Sequence, residues 1–444
     1  MAQTSQARIE FLIIAGLFLL ALFSLGRMVS KMIDPAFGGL DLHSIWHSGH
    51  ALRQGEDPLR FALDKRSPDL PVAYLDGTVT SELPIAQPGL PTLPSNTAPI
   101  YLPLAATAYL SWPVARWVGF ALNFGLMLLI PALLIRLFPY RHTLSTADKL
   151  LIFLLVLTLT GTRVTVWIGQ TTFMVFALML GSLLLRERHP VWSGILLGFA
   201  LSKYSLAIAA VLFLLWEWRR RNGWILITAA AVQATGLLIL AWLGRTSPQA
   251  IMVDYIDIFK IFIDTPQGLR LGMLFPDSPF FAIAVPLLLT IAVFGLLAWL
   301  RMNRPWQNLS WELAGFETFS ALVFWSLLVA YHRIYDYSTA IVAAPLGLLL
   351  FHSPGIWRLS QNRRTTVLAL ISAGFAVLAM PGAIVEVVLP TDLAQTWLWL
   401  FDRLLILAIF VMLGSVLWLL SCPHTEEVEK AVSAQALELP AAGD

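Results

Sequence analysis

One cysteine, Cys422, stands in 444 residues, and a lone thiol excludes an intramolecular disulfide and any metal site built from cysteines. Charge is scarce as well: Asp, Glu, Lys and Arg make up 13% of the chain, roughly half the share usual in soluble proteins. There is no Walker loop, no Gly-x-Gly-x-x-Gly after a strand-like run and no basic patch interleaved with aromatics, so nucleotide and nucleic-acid binding find no support. No solenoid repeat and no stretch resembling a soluble domain is present. What the chain has in excess is apolar residues, 58% of the total, more than one soluble core can hide. Several runs approach or exceed the roughly 20 residues that cross a bilayer, which predicts an all-α polytopic membrane protein. The net charge of +2 decides nothing by itself; orientation follows from where the charges fall.

A polar N-terminus carrying Arg8 precedes the first run, 11–25, and no small-residue cleavage pattern follows it, so this run reads as an uncleaved span. The segment 31–99 is polar and broken by prolines from Pro58 to Pro99, which keeps it out of the membrane as helix. Further spans are expected at about 114–138, 224–243, 279–300, 313–329, 337–351, 367–389 and 397–420. Between them lie two pairs of shorter runs, 149–161 with 171–185 and 191–201 with 206–216. Taken as one span, 191–216 would put Arg219, Arg220 and Arg221 across the membrane from Arg186 and Arg188. Taken as a half-depth hairpin with Lys203 near its apex, it keeps both clusters on one side and obeys the positive-inside rule. With the N-terminus in the cytoplasm, Arg136, Arg141, Arg186, Arg188, Arg219, Arg301 and Arg363 fall inside. Asp41, Gln170, Lys203, the 245–278 loop and His332 to Asp336 fall outside. The expected domain is thus a bundle of about ten or more helices over 1–421, with half-depth hairpins and outer interfacial helices in the 31–99 and 245–278 segments. A polar cytoplasmic tail, 422–444, follows it.

In 41–58, Leu42, Ile45, Trp46, Gly49 and Leu52 recur at the spacing of one helix face, while His43, His47, His50 and Gln54 share the other. Asp41 opens this amphipathic stretch, where a helix N-terminus favours the ionised carboxylate. It is a candidate general base; the plainer reading is an N-cap. Lys203 interrupts a long apolar stretch and suits an anionic ligand such as a phosphate, unless it merely snorkels from a helix end. Gln170, after Gly169, opens a helix whose free N–H groups could meet the same anion. His332 and Asp336 lie four apart, on one face if helical, and either could bind a hydroxyl or phosphate. Flanked by Tyr331, Tyr335 and Tyr337, they also read as interfacial caps. The spacing of His43, His47 and His50 permits a shared metal, but no carboxylate or cysteine completes that face, so a solvated face and no metal are expected.

In order along the chain, Asp41-Leu42-x-x-x-Trp46-x-x-Gly49-x-Ala51-Leu52-x-x-Gly55-x-x-Pro58, Tyr101-Leu102-Pro103-Leu104, Gly169-Gln170-Thr171 and Gly194-x-x-x-Gly198-x-Ala200-x-x-Lys203 resemble glycosyltransferase family 87. Its members are GT-C integral-membrane transferases similar to polyprenol-phosphate-mannose-dependent α-mannosyltransferases. The likeness covers about residues 9–223, and the rest through topology and His332. The resemblance implies transfer of mannose or another hexose or pentose, with inversion, from a polyprenyl-phosphate donor to a cell-envelope glycan or glycolipid. The setting it implies is a bacterial inner membrane with the site on the extracytoplasmic face. It puts Asp41 in the role of acceptor-activating base, Lys203 and Gln170 at the donor phosphate or sugar, and His332 at donor phosphate or acceptor. Trp46, His43, Tyr101 and Asp336 are the acceptor-side or supporting candidates. No cofactor is expected; the partners are the lipid donor, the acceptor and membrane lipids, with no nucleic acid. The chain differs from the family in its longer 59–96 loop and in Trp46, which replaces a tyrosine-like position. The rival reading is a transporter or lipid flippase, which predicts charges near the midplane and paired half-sequences; an O-antigen-ligase-like enzyme would instead need a diphosphate-linked donor.

Overall fold

In a bilayer core every backbone N–H and C=O must be satisfied within the segment, and helices do this for a chain this apolar. The structure, a computed structural model, describes residues 2–34, 38–65, 97–217, 219–264, 270–275, 277–303, 313–330, 332–353, 356–357, 359–380 and 391–422. Among the described residues there is no β-strand, so the all-α polytopic architecture holds. Most of the 59–96 loop and nearly all of the 422–444 tail lie outside the described residues.

The first helix, α1 (Ala2–Ile33), leads to α2 (Leu40–Gln54), α3 (Pro58–Lys65), α4 (Ala98–Ala105) and a 3-10 turn (Ala106–Tyr109), which pack on one another. Helix α5 (Trp112–Leu137) then runs the length of the bundle, with Pro113 in its first turn, where the missing N–H is harmless. Helices α6 (Thr146–Thr158) and α7 (Thr160–Ile168) form a broken pair bent by 60°, and α8 (Thr172–Leu185) returns. Next come α9 (Pro190–Ala200), a 3-10 turn (Leu201–Lys203), α10 (Tyr204–Trp216), α11 (Arg220–Leu243) and α12 (Pro248–Asp264), the last packed on α3. The remainder is a 3-10 turn (Leu271–Leu274), α13 (Pro279–Asn303), α14 (Leu313–Val329), a ten-residue 3-10 segment (Ile334–Ala343), α15 (Ala344–His352), α16 (Gln361–Ala379) and α17 (Thr391–Ser421).

Among the described residues, seven helical stretches are long and apolar enough to cross a membrane, eight if the bent pair counts, and Pro190–Trp216 is one of the seven. Its ends contradict that assignment. A straight helix of 27 residues would be about 40 Å long, yet Arg186 is ion-paired with Glu217, and Arg219 and Arg221 both reach Glu187 at 3.3 Å. The chain therefore reverses at Leu201–Lys203, and the half-depth hairpin expected from the arginine clusters is present. Turning a backbone inside a bundle exposes carbonyls that need partners. Thr97 and Gln233 supply them: the Thr97 N–H donates to Ser202 O at 2.8 Å, and Gln233 on α11, whose Oε1 accepts the Thr97 hydroxyl at 2.9 Å, donates to Gly198 O at 2.6 Å. The Gly194-x-x-x-Gly198 spacing has a packing reason: a Cβ on Gly194 would sit 2.7 Å from Ile225 O, and one on Gly198 3.1 Å from Ala229 O, both on α11. Small residues here let two helices approach to backbone contact.

The same contacts sort the arginines. Arg186, Glu217, Arg219 and Arg221 gather at one end, Arg301 donates to Trp216 O there, and Arg136 and Arg141 line a groove with Leu185. Asp41, Gln170 and the Lys203 turn lie at the other ends of these same helices.

Candidate active site

Four segments remote in sequence converge: the start of α2, the α7–α8 junction, the hairpin turn and the 3-10 segment after α14. Gly39, at φ +82°, begins α2, a left-handed conformation that glycine adopts without Cβ strain. Its N–H donates to Trp167 O at 2.7 Å, which fastens α2 to the end of α7. Asp41 lies in the first turn but caps no amide. Its carboxylate instead accepts a hydrogen bond from Gln170 Nε2.

Gln170 is placed by Gly169, whose φ of +74° ends α7 and on which a Cβ would come within 2.7 Å of Leu42 Cβ. Its other side-chain atom, Oε1, accepts from the Thr171 amide at 3.2 Å. One of the N–H groups at the α8 start is thus taken by Gln170 itself, whose side chain spans from the α8 N-terminus to Asp41.

Lys203, 7% exposed, does not snorkel. Its Nζ is ion-paired with Asp336, donates to Thr172 Oγ1 at 2.8 Å and lies 4.4 Å from the centre of the Tyr335 ring. Thr172 in turn donates to Asp336 Oδ1 at 2.7 Å. The other carboxylate oxygen of Asp336 faces His332 Nδ1 at 3.0 Å and the Arg333 N–H at 3.5 Å. His332 is fully buried, and its Nε2 has no hydrogen-bond partner among the described residues. Asp336 does cap the start of the 3-10 segment by accepting the Arg333 N–H, but it is buried and not an open acceptor contact. It is the counter-ion of Lys203 and the hydrogen-bond partner of His332.

Burial pushes the Asp41 carboxyl above its ordinary 3.8, opposed by the Arg333 charge, the Gln170 hydrogen bond and the Lys203 charge. Asp41 lies in the first turn of α2, where the helix N-terminus favours the ionised form, and partial burial works against it. A raised pKa makes the carboxylate a stronger proton acceptor when it is ionised.

The histidine face of α2 is partly solvated, as expected: Gln54 is exposed, while His43, His47 and His50 are half-buried against aromatic rings. His43 packs edge-on to Trp112 with ring centres 4.5 Å apart and lies 4.3 Å from His47, while His50 lies 4.3 Å from Trp46. Burial, then the charge of His47, lowers the His43 pKa from 6.5 to about 4, so the ring is neutral at pH 7. Trp46 Nε1 donates to Leu110 O at 3.1 Å. Trp46 and His43 thus join α2 to the α4–α5 connection beside Asp41, apart from the Lys203 network. The Tyr101 side chain lies outside the described part, although its helix, α4, packs on α2.

Thr172 and Arg333 escaped the sequence reading. Thr172 follows Gly169-Gln170-Thr171 directly, and two consecutive threonines opening an apolar helix were the available signal. Arg333 sits between His332 and Ile334, and nothing in the sequence ties it to Asp41, 292 positions earlier.

The arrangement puts one proton acceptor, a buried lysine–aspartate pair, a histidine with an open ring nitrogen and an arginine around one junction. It has the parts to take a proton from a hydroxyl and to balance negative charge nearby. Residues 96–262 match the family model described as Glycosyltransferase family 87. The match supports that family and, with it, glycosyltransferase activity. The matched stretch takes in Gln170, Thr172 and Lys203 but stops short of Asp41, His332 and Asp336, which the fold brings to it. No curated protein matches the chain.

Proposed function

We propose that the chain is an inverting glycosyltransferase that moves mannose or another hexose or pentose from a polyprenyl-phosphate donor to a hydroxyl of a cell-envelope glycan or glycolipid. The observation that carries the reading is the meeting of Asp41 with Gln170 beside the Lys203–Asp336 pair. Asp41 takes the proton of the acceptor hydroxyl as its oxygen attacks the anomeric carbon. The bond from that carbon to the phosphate oxygen breaks, and polyprenyl phosphate leaves with the electron pair. A phosphate is a competent leaving group, so the protein needs a base and positive charge rather than a covalent intermediate.

Because Lys203 already faces Asp336, it meets the phosphate as part of a neutral pair. His332 then contributes its second nitrogen: with Nδ1 on Asp336, the unpartnered Nε2 is the ring atom that faces a phosphate oxygen. Thr172 and Asp336 hold Lys203, and Gln170 holds Asp41. Trp46 and His43 stand on the acceptor side, and Tyr101 belongs to the same assignment. The reading includes a bacterial inner membrane. The arginine-rich end faces the cytoplasm by the positive-inside rule, so the Asp41 end faces out.

The test is to supply the purified protein in nanodiscs with labelled polyprenyl-monophosphate sugars, and separately with polyprenyl-diphosphate sugars, plus an extracted envelope glycolipid fraction. Transfer from a monophosphate donor, with the anomeric configuration inverted, is expected. Turnover from the diphosphate donor alone, or retained configuration, rejects the proposal.

A further inference from the structure

A second cationic site lies on the opposite side of α7 from the 3-10 segment. Gly161 and Thr165 face that segment: a Cβ on Gly161 would sit 2.6 Å from Ile334 O, and Thr165 Oγ1 lies 3.4 Å from Tyr335 O. Arg163 is about 200° around the helix from Gly161, and α1 also packs on α7. Arg163 is 6% exposed. One guanidinium nitrogen donates to Thr160 Oγ1 at 2.8 Å, and that hydroxyl donates on to Met380 O at 2.7 Å. Its Nε is buried with no partner among the described residues. The charge acting on it is of the same sign, that of Arg27 on α1. Among the described residues neither arginine has a carboxylate within ion-pair distance. One turn before Arg27, Ser24 is fully buried, and its hydroxyl also lacks a partner.

Two neighbouring guanidinium groups, one buried, are expensive inside an apolar bundle without an anion. Elsewhere this molecule pairs its buried cations: Lys203 with Asp336, and Arg186 with Glu217. Arg27 lies six residues, about 9 Å, before the end of α1, at the end of the bundle that carries Asp41. One turn before Arg27, on the same side of α1, Phe23 is 41% exposed. The opening is therefore lateral, toward the acyl chains.

We infer that Arg27, Arg163 and Ser24 form a binding site for a phosphate group, separate from the Asp41–Lys203 centre and open to the bilayer between α1 and α7. A phosphate oxygen takes the open Arg163 Nε–H, Arg27 supplies the second charge, and the Ser24 hydroxyl donates to the same group. The inference does not depend on sugar transfer.

The experiment measures thermal unfolding of the full chain, with inorganic phosphate titrated into detergent in one arm and with phosphatidylglycerol compared with phosphatidylcholine in nanodiscs in the other. Stabilisation by phosphatidylglycerol alone supports a lipid phosphate, and stabilisation by both probes supports a phosphate site open also to the free ion. In either case Arg27→Gln lowers the apparent affinity at least tenfold, Arg163→Lys lowers it less than Arg163→Gln, and the exposed Arg136→Gln leaves it unchanged. Arg27→Gln keeps the readout usable should Arg163→Gln fail to fold, because Arg27 is only partly buried. No stabilisation by either probe, or equal stabilisation of wild type and Arg27→Gln, overturns the inference. Because binding is read without turnover, an inactive preparation that still binds would count against the transferase reading and not against this site.

Discussion

At the scale of single residues, function rests on charges kept from water and on what keeps them there. Asp41 has its pKa raised by burial, and Arg333 is the first of the groups that pull it back. A base must be ionised to act, so activity falls as pH drops through the Asp41 pKa. Replacing Arg333 with Gln removes an opposing positive charge, and the acid limb of kcat/KM moves to higher pH; a limb at the wild-type position contradicts the electrostatic link. The Lys203–Asp336 pair allows a second expectation. Removing one partner of a buried pair leaves an uncompensated charge, at a cost of about 3–5 kcal/mol. Lys203→Met or Asp336→Leu alone should therefore lower the unfolding temperature sharply, and the double variant should recover most of the loss while remaining inactive. A double variant as unstable as the singles would show that packing, and not charge, is what matters there. Asp41 and Lys203 were legible in the sequence because a polar group in an apolar context is conspicuous. The partner of Lys203 was not: Asp336 stood among tyrosines that supplied an adequate surface explanation.

At the scale of elements, the informative feature is the reversal at Leu201–Lys203. Hydropathy alone makes Pro190–Trp216 a plausible span; the distribution of arginines argued for a hairpin, and the pairs joining Glu187 to Arg219 and Arg221 agree with the arginines. In a background where Cys422 is replaced by Ala, cysteines at Glu187 and Arg221 should join through a short bifunctional thiol reagent. A straight span would hold those positions about 50 Å apart, and no cross-link would form. The stretch around His332 shows the limit of pattern reading. A four-residue spacing suggested one helix face, but the chain adopts a 3-10 segment beginning at Ile334, with His332 before it. Both residues still meet, because Asp336 turns back toward the residues preceding its own helix. The histidine face of α2 differed for another reason: periodicity located the face but could not show that Trp112 packs on His43 and leaves the face half-buried.

At the scale of the whole molecule, an end rich in arginine opposes an end that gathers the Asp41 carboxylate, a buried ion pair and unpartnered polar atoms. That polarity was readable from composition and charge placement. The convergence was not, because Asp41, Gln170, Lys203 and Asp336 span nearly 300 positions and only tertiary packing relates them. The family match holds the middle two, and the fold supplies the outer two. The central claim is that Asp41 takes the acceptor proton at this junction, and the direct measurement is the single-turnover rate of sugar transfer by Asp41→Asn with donor binding measured in parallel. The account predicts a rate lower by about 10²–10⁴-fold, unchanged donor affinity and an unfolding temperature equal to or above wild type, since a neutral side chain removes the burden of a buried charge. Transfer at a near-wild-type rate by that variant would contradict it.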